Sequence, residues 1–147
     1  MRLALKIRMK PRSLFAVLVM VLAAHADAYI VIKVNVEAGA KEAAWSDALA
    51  VGLEGATREW RVDGGIADIA TETHIYEVDR LAKWHEGIGQ VLHYRDDSGK
   101  QGVLVLILPD GYSDWVRLEK LERKRCKPYE IGLIVLVRVQ PALTTGV

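Results

Sequence analysis

Residues 57–95 read TREWRVDGGIADIATETHIYEVDRLAKWHEGIGQVLHYR. Thr57-Arg-Glu-Trp-Arg-Val62 alternates, Gly65-Ile-Ala-Asp-Ile-Ala70 is short, and His74-Ile-Tyr-Glu-Val78 is apolar with a polar tip. Asp63-Gly64-Gly65 and Thr71-Glu72-Thr73 supply turns between them, so the stretch predicts a three-strand meander. From 81 to 95 the period lengthens. Leu81, Trp84, Ile88, Val91 and Leu92 fall along one helical stripe, which Asp96-Asp-Ser-Gly99 ends.

Upstream, Tyr29-Ile-Val-Ile-Lys-Val-Asn-Val36 reads as a strand or extended lead-in. Gly39 to Val51 reads as an amphipathic helix, stopped by Gly52 and Gly55. Downstream, Val103-Leu-Val-Leu-Ile-Leu108 has no alternation, as in a strand buried on both faces. Pro109-Asp-Gly111 is a turn, a charged helix covers about 112–125, and Ile131-Gly-Leu-Ile-Val-Leu-Val137 is a last buried strand. The fold class is α/β with a central mixed sheet, in the order helix, three-strand meander, helix, strand, helix, strand. A crossover between the last two strands makes them parallel, right-handed by rule.

The chain has 147 residues, the length of one ordinary domain. Arg2, Lys6, Arg8, Lys10 and Arg12 precede the apolar run 14–24, and Ala26-Asp27-Ala28 offers a small-residue cut. These are the parts of a secretory signal peptide over residues 1–28, too short to span a membrane comfortably. The mature chain, 29–147, would be exported, periplasmic or secreted; a mis-assigned start would leave it cytoplasmic. Loss of five basic residues and one acidic residue takes the net charge from +1 to −3, which excludes a polybasic nucleic-acid coat. Half the chain is hydrophobic, which excludes a disordered tail. Cys126 is the only cysteine, so no internal disulfide or CxxC redox pair forms.

Three carboxylates carry the chemistry. Glu77 and Asp79 are two apart on one strand and project to the same face. An antiparallel neighbour can set Asp68 beside them. Converging carboxylates repel unless a divalent cation joins them, and Mg²⁺ or Mn²⁺ prefers such oxygen ligands, with the Val78 carbonyl as a further donor. The bland alternative is ordinary solvated strand ends.

Asp68, eight residues, then Glu77-Val78-Asp79 resembles the PD-(D/E)XK (restriction-endonuclease-like) nuclease superfamily. Gln90-Val-Leu-His-Tyr94 on the next helix resembles the Q-x-x-x-Y motif of its RecB-type exonucleases. The segment from Glu77 to Tyr94 is also similar to a group of small bacterial proteins of this fold. The resemblance covers roughly residues 40–138 and implies metal-dependent hydrolysis of nucleic acid, DNA foremost. It implies Asp68, Glu77 and Asp79 as ligands of Mg²⁺ or Mn²⁺. Where the superfamily has its lysine this chain has Asp79, and Lys83, near the start of the next helix, is the displaced candidate. Gln90 would orient the phosphate or Lys83, and Tyr94 would contact the backbone or brace Gln90. Glu42 is the candidate first-helix glutamate, with Glu54 as the alternative. If Lys83 cannot reach, the chain is a binding module without catalysis; if the carboxylates are incidental, it is an exported structural or interaction protein.

Other constellations carry less. His74, His85 and His93 lack HExxH spacing, and Gly87-Ile-Gly89 lies inside a helix rather than after a strand. Cys126 borders a buried strand and reads as packing, with a reactive thiol as the alternative. Arg117, Lys120, Arg123, Lys124, Arg125 and Lys127 read either as cations favouring a helix dipole or as a face that tracks phosphates.

Overall fold

Because residues 103–108 are apolar without alternation, that segment can only sit where both its faces are covered. It does: Val103, Val105 and Ile107 pack on one side and Leu104, Leu106 and Leu108 on the other, all within 2% of full burial. The computed structural model describes residues 29–140, so the predicted leader over 1–28 lies outside the described residues. Around β5 (Gln101–Ile107) stand β1 (Ile30–Val34), β2 (Thr57–Val62), β3 (Gly65–Ala70), β4 (His74–Arg80) and β6 (Gly132–Arg138). They form a six-stranded mixed sheet in the order β1-β6-β5-β4-β3-β2.

The meander is antiparallel from β2 through β4, and β4–β5 and β5–β6 are parallel. The N-terminal stretch is a full member of the sheet, paired parallel with β6 from Ile30↔Ile134 onward. Helix α1 (Glu42–Gly52) covers one face through Trp45 and Leu49. Helices α2 (Trp84–Ser98) and α3 (Trp115–Leu121) cover the other through Val91, Leu118 and Leu121. Each fully buried Leu or Ile contributes about 1.5–3 kcal/mol over an exposed one. Among the described residues no helix is long and apolar enough to cross a membrane.

Three boundaries differ from the sequence reading. Strand β4 continues through Asp79 to Arg80, then a 3₁₀ turn over Leu81–Lys83 delays α2 to Trp84. Helix α2 runs past Asp96 and Asp97 because its stop is Gly99, at φ 69°, whose N–H bonds the Arg95 carbonyl at 2.9 Å. The charged helix expected over about 112–125 starts later, where the Asp114 side chain caps the Arg117 N–H at 3.1 Å. It then widens into a π-helical turn over Glu122–Cys126. Leu118, Leu121 and Cys126 are all buried, and the five-residue step to Cys126 keeps an apolar face only in the wider turn.

Candidate functional site

Strands β3 and β4 come apart where the acidic residues lie. Their ladder holds two pairs, Ile69↔Tyr76 and Ala70↔Ile75, and stops before Asp68 and Glu77. On the other side of β3 the ladder with β2 skips the step between Arg58↔Ile69 and Trp60↔Ala67. The residue skipped there is Glu59, whose φ of 53° is a left-handed backbone that costs a non-glycine residue about 1–2 kcal/mol. So β3 loses both neighbours at Asp68. Side-chain bonds take their place. The Val78 N–H donates to Asp68 Oδ2 at 2.8 Å. Arg58, anchored on Asp47 at 2.7 Å, donates to the Asp68 carbonyl. The two backbone groups of a strand residue face the same neighbour, so the Val78 carbonyl also looks into the fork.

Glu77 and Asp79 alternate with Val78 and lie on the face that α2 covers. They are 6% and 7% exposed, the only buried charged residues among those described. Glu77 Oε2 and Asp79 Oδ2 have no hydrogen-bond partner. Burial first, then Asp68 and Asp79, pushes the Glu77 carboxyl up to about 8, against an opposing hydrogen bond from the Asp68 backbone. Burial and then Glu42 push Asp79 up to about 6, against the pull of Lys83. Asp68 is raised by burial, opposed by the Val78 N–H and Arg58. Buried carboxyls without partners resist ionisation, and each neighbour's charge adds to that resistance.

The remaining sequence candidates gather around this fork. Glu42, in the first turn of α1, raises all three carboxyls and lies 3.8 Å from Arg80. Glu54 lies in the exposed loop after α1 and is not among the groups acting on them. Lys83, itself exposed, ends the 3₁₀ turn and is close enough to Asp79 to favour its charged form. Gln90 and Tyr94 follow on α2, one turn apart. Burial and then Glu77 push the Tyr94 hydroxyl up, with the Gln90 side chain and the Ile66 backbone opposing.

Two glycines that the sequence reading left without a role in the site make room for it. A Cβ on Gly87 would lie 2.6 Å from Leu104 and 3.0 Å from Asp79 Oδ2; one on Gly65 would lie 2.7 Å from the Tyr94 ring. A glycine inside a helical pattern is the signal that marked Gly87. Arg58 and Glu59 carried no signal, because a ladder gap is not written in residue spacing. His93 has a structural role: its Nε2 donates to the Asp63 carbonyl at 2.7 Å while Asp97 accepts from the Asp63 N–H at 2.8 Å, which ties the β2–β3 turn to α2.

Among the described residues, no three His, Cys, Asp or Glu side chains stand in metal-ligating range of one another. The three carboxylates therefore do not close around one point, although their donors are the oxygens that a hard divalent cation takes and two of them are buried without a partner. No family model, no curated protein and no solved structure matches the chain.

Proposed function

We propose that the chain is a metal-dependent nuclease with a restriction-endonuclease-like core, hydrolysing phosphodiester bonds in nucleic acid, with DNA as the substrate. The observation that carries this reading is the buried pair Glu77 and Asp79, each with an unpartnered carboxylate oxygen, at a fork where Asp68 has lost both strand neighbours. The order α1, β2, β3, β4, α2, β5 agrees with the core that the motif resemblance implies.

Asp68, Glu77 and Asp79 would hold Mg²⁺ or Mn²⁺. The ion, when bound, polarises the scissile phosphate and lowers the pKa of a bound water from about 16 toward 7. The chain's own groups do the rest. Glu77 and Asp79 must give up their protons for that charge to be accepted. Lys83 brings a positive charge that Asp79 already feels, and it would balance charge that develops on the phosphate. Gln90 and Tyr94 would face the substrate from α2, where the Tyr94 hydroxyl is near enough to Glu77 and Asp68 to feel their charge. Glu42 adds negative charge at the opposite side, where Arg80 holds it. With the predicted leader, the substrate would be DNA outside the cytoplasm.

One observation favours a second reading, in which the same site binds without cutting: Asp79 stands where the superfamily's lysine would, and Lys83 is itself exposed. The test is cleavage of labelled single- and double-stranded DNA by the purified protein with Mg²⁺, with Mn²⁺ and with EDTA, beside Glu77→Ala and Lys83→Ala. Metal-dependent cutting lost in both variants is expected. Absence of cutting by the folded protein with either metal moves the reading to the binding module.

A further inference from the structure

Four of the eight arginines among the described residues are committed. Arg58 pairs with Asp47, Arg80 with Glu42, Arg95 with Asp96 and Arg138 with Asp110. The face formed by α3 and the π-helical turn is different. Between Trp115 and Glu130 stand six cations against three carboxylates, in a chain otherwise acidic after residue 28. Arg117, Lys120, Arg123 and Lys124 are all exposed, and none makes an ion pair within 4 Å or a side-chain hydrogen bond among the described residues. Leu118 and Leu121 take the opposite, buried side. A helix dipole rewards cations near its last turn only. It accounts for Arg123, Lys124 and Arg125 in the π turn that ends the helix, but not for Arg117 at the start of α3.

This face also connects to the fork. Arg125 in the π turn lies over the Trp84 ring, 6.0 Å from its centroid. Trp84 opens α2, directly after Lys83, and Lys83 acts on Asp79. Cationic groups therefore run from the carboxylate fork across the start of α2 and onto α3. A nucleic-acid strand carries charges at a spacing that meets cations on α3 and at the start of α2 at once.

We infer that the α3 and π-turn face, joined to the fork through Arg125, Trp84 and Lys83, binds the phosphate backbone of a nucleic-acid strand. The inference deepens the nuclease reading, yet binding at this face needs no metal and no hydrolysis. Each phosphate neutralised adds about 0.9 to the slope of log K against log salt for duplex DNA and about 0.7 for a single strand.

The experiment measures binding of a labelled oligonucleotide, single- and double-stranded, by the purified protein in EDTA over a salt series. It compares wild type with the reversal triple K120E/R123E/K124E and the charge-conserving triple K120R/R123K/K124R. All three positions are exposed, so both triples fold, which circular dichroism checks. The reversal triple is expected to bind at least tenfold more weakly at low salt, with the slope reduced by about 2 to 3, while the conserving triple matches wild type. Equal affinity and slope in wild type and the reversal triple overturn the inference. So does binding of wild type to anionic phospholipid vesicles without binding to the oligonucleotide. Cleavage is scored separately with Mg²⁺, so failed cutting with intact binding refutes the nuclease reading alone.

Discussion

The carboxylate of Asp68 accepts a hydrogen bond at 2.8 Å from the backbone N–H of Val78, the residue between Glu77 and Asp79. A side chain thus stands in for the strand-to-strand bond that the open ladder does not make. The bond holds the fork at one width, and it should be separable from charge. Asp68→Asn keeps an acceptor for Val78 and loses the charge; Asp68→Ala loses both. An unsatisfied N–H costs about 1–3 kcal/mol. Urea denaturation should place the alanine variant that far below wild type and the asparagine variant within about 1 kcal/mol of it. On the nuclease reading both are inactive.

Gly87 and Gly89 lie on the same helix and should respond oppositely to alanine. Relief of glycine's helix penalty is worth up to about 1 kcal/mol at either position. At Gly89 the added carbon meets nothing within 4 Å, so the variant should be stabilised. At Gly87 it would lie 2.6 Å from Leu104, which is fully buried, and 3.0 Å from Asp79. Overpacking of that kind costs about 1–3 kcal/mol. Gly87→Ala should therefore melt below wild type and weaken metal-dependent activity by moving the Asp79 carboxylate. Thermal melts of the two variants side by side test this.

Cys126 is fully buried beside the π turn, and burial pushes its thiol up to about 12, with Glu122 adding to the shift. Thiolate is the reactive form, so the native thiol should not react with a disulfide reagent at pH 8. Full reaction should follow denaturation. Rapid labelling of the folded protein would restore the reactive-thiol alternative.

The layer order was readable because burial on two faces has a sequence form. Residues 103–108 and 131–137 are apolar without a break, whereas the strands before them follow no such rule: β2 is largely exposed and β4 is buried on both faces from Ile75 to Asp79. The convergence of Glu77 with Asp79 follows from strand geometry. Their isolation from hydrogen-bond partners does not, since it depends on β3 leaving β4 at Asp68. That departure rests on Glu59's left-handed backbone and on Arg58 reaching the Asp68 carbonyl, neither of which has a local signature. The third helix ends where its charges predict, near residue 125, but its widened last turn has no local signature either. Tertiary burial of Cys126 selects a π turn over the regular period.

Stability should fall as pH rises through neutrality, opposite to the usual carboxylate behaviour. Glu77 at about 8 and Asp79 at about 6 are both raised above their ordinary values near 4. The folded state therefore holds protons that the unfolded chain releases. Their stabilising contribution is complete below about pH 4 and is lost as pH climbs through 6 and then 8. Each pH unit inside that window costs at most about 1.4 kcal/mol per group. His74 works in the opposite direction: burial lowers its pKa, so it destabilises the fold as pH falls below about 6.5. Between pH 6.5 and 8 the Glu77 carboxyl dominates, and the melting temperature should decline across it. Glu77→Gln, which cannot ionise, should flatten that decline. Millimolar Mg²⁺ should flatten it too in wild type, because a bound cation favours the ionised carboxylates, and should do little for the glutamine variant. A melting temperature that rises over this range in the absence of metal would show that Glu77 is ionised in the folded protein, and the buried pair would then not hold the protons that its surroundings demand.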